Sequence, residues 1–216
     1  MSNLSVLLRP RISDETHQAL EALRHRVASC QACRLCDTRT QTVFSDGTPQ
    51  ARVMFIGEAP GEQEDLTGKP FVGRAGKLLT EMMAQVGLYR DTTPQAPQAP
   101  NVYIANTLKC RPPGNATPTP EQLHACGGYL FEQIELIQPE VIVLVGSTAF
   151  YWLFQEKIPI SKIRGLWMQS PKVNAHVMTV FHPSYLLRQH SLSENAPRAL
   201  TLRDLQAVKT YLSQTP

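Results

Sequence analysis

At 216 residues, with 42% hydrophobic and 18% charged, the chain can bury a full core and reads as a soluble, single-domain globular protein. Its net charge of +3 excludes nucleic-acid binding by bulk basicity, so such binding would rest on a local patch. No apolar run nears the roughly 20 residues of a membrane span and no charged-then-apolar leader opens the chain, so a cytoplasmic monomer with no membrane partner is the expectation.

Residues 1–11 read as frayed. From Ile12 to Ala28, Ala19, Leu20, Leu23 and Val27 recur at helical spacing behind a cap at Ser13 or Asp14. Arg24, Arg26, Arg34 and Arg39 make this neighbourhood basic, which by itself describes a solvated face. Val53 to Ile56 is an all-apolar run and reads as a buried strand. Gly57 and Gly61 then bracket Glu58-Ala59-Pro60, which turns the chain sharply and lets a ligand approach the backbone. With Glu62, Glu64, Asp65 and Phe71 following, this is either a binding loop with carboxylates and an aromatic platform or an ordinary strand-to-helix connection.

Arg74 to Gly87 is an amphipathic helix with Leu78, Leu79, Met82, Met83 and Val86 inward and Gly87 as its C-cap. Residues 91–100 are Pro-rich and read as an exposed loop. A second strand, Val102 to Ala105, ends at Asn106 and meets the turn-rich Lys109-Cys110-Arg111-Pro112-Pro113-Gly114-Asn115. Thr117 or Thr119 caps a helix running through Cys126 to about Ile137. Val141 to Val145 is a third strand, Ser147 to Phe154 a helix, Val177 to Phe181 a fourth strand, and residues 196–213 a closing helix. Nearly all-apolar strands alternating with helices indicate a parallel sheet covered on both faces. Polar segments follow three of these strands, beginning at Gly57, Asn106 and His182, and they would converge on one edge, where such sheets place ligands.

Five cysteines in a reducing compartment favour ligation over disulfides. Cys30 and Cys33 form a C-x-x-C pair, and Cys110 and Cys126 stand further along. Four thiolates suit zinc or an iron–sulfur cluster, and spacing does not separate the two; buried reduced thiols are the alternative. Cys36 reads as a structural or free thiol.

Taken together, GEAPGEQED, GKPFVGRAG, NTLKCRPPGN and HPSYLLR, with Cys30, Cys33, Cys110 and Cys126 in order, resemble the family 4 uracil-DNA glycosylases, the iron–sulfur branch of their superfamily. The resemblance covers roughly Cys30 to the C-terminus, leaving residues 1–28 as an extension and helix before a domain at 29–216. It implies a three-layer α/β/α fold around a four-stranded parallel sheet, with a [4Fe–4S] cluster on those four cysteines. It implies activity on uracil-containing DNA, with Glu58 and Ala59 flanking the attacking water, Phe71 stacking on the base and Asn106 reading its edge. His182 would meet the uracil O2, Glu64 would crowd C5 against thymine, Gly57 would lie against the base, and Asn115 is a polar neighbour of the site. The basic, His-containing insert of the branch that becomes covalently trapped on uracil DNA is missing after the Gly-Glu motif, so turnover is expected.

Negative charge grows on the uracil O2 as the base departs, and a donor at His182 suits that demand. Ala59 offers no base, which a largely dissociated transition state tolerates. Flipping the base costs a few kcal/mol; Leu186 or Leu187 would wedge into the gap while Arg188, Lys109, Arg111 and Arg164 contact phosphates. The competing reading is a non-catalytic iron–sulfur protein that binds DNA or senses redox state.

Overall fold

The computed structural model describes residues 12–90, 101–189, 191 and 193–215; the readings of residues 1–11 as frayed and 91–100 as an exposed loop fall outside them. In chain order the elements are α1 (Asp14–Ala28), β1 (Asp46–Gly47), β2 (Val53–Gly57), α2 (Glu62–Thr67), α3 (Arg74–Gln85), β3 (Val102–Asn106) and α4 (Pro120–Ile137). There follow β4 (Val141–Val145), α5 (Ser147–Phe154), α6 (Ile160–Ile163), β5 (Trp167–Ser170), β6 (Val173–Val180), α7 (Pro183–Leu186) and α8 (Pro197–Gln214).

Local chemistry accounts for the helix ends. The Ser13 hydroxyl accepts from the Thr16 amide at 3.1 Å and starts α1. Thr119 rather than Thr117 caps α4, in a reciprocal box: Gln122 N–H donates to Thr119 Oγ1 at 3.3 Å and Thr119 N–H to Gln122 Oε1 at 3.0 Å, with Pro120 at the first helical position. Helix α3 is capped by Val86, and Gly87 lies just beyond it at φ +77°.

The sheet is mixed and six-stranded, in the order β1-β3-β2-β4-β6-β5, which corrects the four-stranded parallel sheet that the resemblance implied. The inner pairs β3–β2, β2–β4 and β4–β6 are parallel, and β1 and β5 add antiparallel edges on β3 and β6. Neither edge carries the apolar run that betrays a buried strand: β1 is Asp-Gly alone, and β5 leaves Trp167 and Gln169 exposed. Pairing with β5 also extends β6 back to Val173, through residues too polar to read as interior strand.

Alternating side chains divide the core into two layers. Met54, Ile56, Ile142 and Leu144 pack with Leu130, Ile134 and Trp152 on one face, while Val53, Phe55, Val143 and Val145 pack with Leu79, Met83 and Leu205 on the other. Helix α1 joins the first layer through α4, with Leu23 and Val27 clustering with Phe44, so the helical part of residues 1–28 is integral to the domain. No helix among the described residues is long and apolar enough to cross a membrane.

Parallel register brings the strand ends to one edge, where Gly57 pairs with Asn106 and Val145 with Val180. The pairing continues past the strands as Thr107 N–H donates to Gly57 O at 2.9 Å and Leu108 N–H to Glu58 O at 3.1 Å. One buried cation anchors the far side of this edge. Arg90 donates to Asp46 of β1 through Nε at 2.9 Å and Nη2 at 2.6 Å, and to the carbonyl of Phe71 through Nη1 at 2.6 Å. Breaking a buried pair leaves its partner charge stranded, so Arg90→Met should cost about 3–5 kcal/mol in urea unfolding. A loss below about 1 kcal/mol, the range of an exposed pair, would show that β1 holds without it.

Candidate active site

Glu58, Ala59, Glu64, Phe71, Asn106, Asn115 and His182 line one cavity of about 300 Å³ at the carboxyl edge of the sheet. The structure therefore gathers residues spread over most of the chain into a single site.

Phe71 sits at φ +55°, a region that L-residues seldom occupy, and its neighbours over-determine it. Glu64 is buried, with Oε1 accepting from the Val72 and Gly73 amides at 2.8 and 2.7 Å and Oε2 from the Gly61 amide at 3.1 Å. Arg90 holds the Phe71 carbonyl from below. Gly76, in the first turn of α3, is obligatory because a Cβ there would collide with the Phe71 backbone. Gly57 answers a similar need for space, since a Cβ would strike Asn106 Oδ1 and the Phe71 ring. Because its carboxylate is engaged by backbone amides, Glu64 can crowd a ligand only with its methylene stem.

Asn106 is 2% exposed, and its Oδ1 has no hydrogen-bond partner among the described residues. An unmet buried acceptor costs about 1–3 kcal/mol, so one lining a cavity points to a ligand donor. His182 faces the same cavity as the N-cap of α7. Its Nδ1 accepts from the Ser184 amide at 3.2 Å and lies 2.7 Å from Ser184 Oγ, which assigns the proton of the neutral ring to Nε2. Burial, helped by the charge of Arg188, lowers its pKa to about 4. Gly146, at φ +95°, backs the ring; a Cβ there would lie 3.1 Å from His182 Cβ. The Phe71 and His182 rings stand 6.3 Å apart with an interplanar angle of 38°. At the rim, Asn115 Oδ1 accepts from Arg111 Nε at 2.8 Å.

Three expected DNA contacts are corrected. Lys109 is wholly buried, its Nζ donating to Gln133 Oε1 at 2.5 Å, Asn106 O at 3.0 Å and Phe44 O at 3.4 Å, so no phosphate reaches it. Arg164 is held by Asp204, with Nε donating to Oδ2 at 2.8 Å, and serves the packing of α8. Leu186 is a core residue, whereas Leu187 is 36% exposed. Arg188 is exposed and Arg111 half-buried beside the cavity.

Cys30, Cys33, Cys110 and Cys126 line a second, small cavity walled by Val27, Leu35 and Leu108, which Cys36 does not line. Lys109 N–H donates to Cys126 Sγ at 3.3 Å, Ala32 N–H to Cys30 Sγ at 3.5 Å, and Arg39 Nη1 to Cys110 Sγ at 3.2 Å. Burial pushes the Cys126 thiol up to about 11 and raises Cys110 as well, so these sulfurs ionise only against compensating positive charge. The Cys36 thiol is instead directed to Asp37 Oδ1 at 3.4 Å. Among the described residues no group of three or more His, Cys, Asp or Glu is arranged to hold a metal ion.

An α/β sheet with a ligand cavity across its carboxyl edge defines the class. The model of the uracil DNA glycosylase superfamily matches residues 44–206, and the chain belongs to that family. It is 43% identical to a type-4 uracil-DNA glycosylase of Thermotoga maritima over 201 residues, 91% of this chain and 96% of the relative. It is 41% identical to the type-4 enzyme of Archaeoglobus fulgidus over 183 residues, 82% of this chain and 87% of the relative.

His182 makes stability depend on pH with a definite sign. Its folded pKa of about 4 lies below the ordinary 6.5, so the folded state binds fewer protons between those values. The stability it contributes is complete above about pH 6.5 and is lost progressively as pH falls toward 4. In imidazole NMR, His182 should stay neutral with the proton on Nε2 down to about pH 4; a midpoint near 6.5 would refute this.

Proposed function

We propose that the protein hydrolyses the N-glycosidic bond of uracil in DNA and leaves an abasic site. The observation that carries this reading is the buried Oδ1 of Asn106, without a partner among the described residues, in a cavity shared with an aromatic face and a neutral histidine. Uracil stacked on Phe71 would give its N3–H to Asn106 Oδ1. A neutral His182 would donate from Nε2 to O2, where charge accumulates as the base leaves. The Glu58 carbonyl is taken by Leu108 N–H and Thr107 Oγ1, which leaves its carboxylate to orient the attacking water. Ala59 adds no base, in keeping with bond cleavage running ahead of attack. Glu64 positions Phe71, Arg111 positions Asn115, and Leu187 fills the vacated stack while Arg188 and Arg111 meet phosphates.

Cys30, Cys33, Cys110 and Cys126 would hold a [4Fe–4S] cluster, a reading supported by the chemistry of their surroundings: four thiols lining one apolar cavity, with N–H groups and two cationic residues beside them. When bound, the cluster supplies a rigid cross-link between the segment after α1, the tail of β3, and α4.

A single-uracil oligonucleotide tests the activity directly: an abasic product is expected, and binding without base release would favour the non-catalytic alternative. Asn106→Asp sets a carboxylate against uracil O4 and should lower single-turnover release by roughly 10²–10⁴ while allowing weak release of cytosine. Unchanged uracil release in that variant would mean that another residue reads the base. Aerobically purified protein should contain iron and absorb broadly near ~400 nm, and Cys36→Ala should keep that colour. Stoichiometric zinc without iron would overturn the cluster.

A further inference from the structure

Lys109 is among the largest fully buried side chains, and it lines the cavity shared by Cys30, Cys33, Cys110 and Cys126. A buried ammonium surrounded by neutral groups alone is costly by several kcal/mol. Gln133, Asn106 and Phe44 supply oxygens that solvate the charge without neutralising it. Gln133 is fixed in turn by donating to Tyr103 Oη at 2.9 Å and Phe44 O at 3.3 Å, so the ammonium has one well-defined seat.

The same residue faces both centres of the molecule. Its amide donates to Cys126 Sγ at 3.3 Å, its neighbour Cys110 lines the cysteine cavity, and its Nζ donates to the carbonyl of Asn106 at 3.0 Å. We infer that Lys109 is a positioning residue that joins the two: its charge balances the cysteine thiolates while its ammonium pins the end of β3 from which Asn106 reads the base. The inference rests on the reading that the four cysteines hold an iron–sulfur cluster and deepens it. The charge is internal, so it adds nothing to phosphate binding. Its effects fall on the cluster's electron affinity and on the presentation of Asn106.

The test uses the purified holo-protein and three measurements: iron per chain, the midpoint potential of the cluster, and single-turnover uracil release together with the dissociation constant for the oligonucleotide. Removing a nearby positive charge disfavours the added electron, so Lys109→Met should lower the potential by about tenfold in the oxidised-to-reduced ratio, about 59 mV for one electron. Release should slow roughly 10- to 100-fold as Asn106 loses its seat, with the dissociation constant for DNA unchanged. Lys109→Arg, which keeps the charge, should recover the potential. Should Lys109→Met fail to fold, Lys109→Gln removes the charge and, with a side chain one bond shorter, draws the donor back from the Asn106 carbonyl, so it carries the same two expectations. An unmoved potential at wild-type iron content overturns the charge-balancing role, and an unmoved release rate overturns the link to Asn106. Wild-type protein that holds zinc and no iron removes the cluster reading beneath the inference, whereas iron in the wild type with both readouts unmoved sinks the inference alone.

Discussion

The site depends on the Glu64 carboxylate, which accepts three backbone N–H groups from two separate stretches of loop. Hydrogen bonds to a charged acceptor contribute about 1.5–3 kcal/mol each, enough to offset the strain of a phenylalanine held in the left-handed region. Glu64 ties Gly61, just past the Gly-Glu turn, to Val72 and Gly73, just past Phe71, and Arg90 closes the loop from beneath through the Phe71 carbonyl. A rigid aromatic shelf results, held between the first turn of α2 and the start of α3.

The parallel strands were legible because burial on both faces leaves an unbroken apolar run, as in Val53–Ile56 and Val141–Val145. The cavity residues were legible as motifs, and the structure brings them together. Basic residues were not legible in the same way. Lys109 and Arg111 stand two apart in one motif, yet one is wholly buried and the other half-exposed, because the chain after β3 leaves the core between them, reaching exposed Pro113 two residues on. The ion pairs of Arg90 with Asp46, beneath the site, and of Arg164 with Asp204, against α8, join residues whose proximity follows only from the finished sheet and helices. Gly76 and Gly146 were visible as glycines, but their purpose lies in what their missing Cβ atoms make room for, the Phe71 backbone and the His182 ring.

Between Asn106 and Cys110 the chain passes from the cavity lined by Phe71 and His182 to the cysteine cavity without leaving the core. The two sites thus share one stiff strut, and anything that loosens one end reaches the other through a few covalent bonds. This economy limits variation, since each position from 106 to 110 has backbone or side chain committed to packing or hydrogen bonding.

The antiparallel borders have a consequence of a different kind, a colloidal one. A parallel sheet ending on an apolar strand would offer a straight template of unpaired amides to another molecule. Here one border is the two-residue β1, locked through Asp46, and the other is β5, whose register slips between Met168 and Ser170. A short border and a kinked one are poor seeds for strand addition. On both borders, then, the geometry that ends the sheet also disfavours its extension by a strand from another molecule.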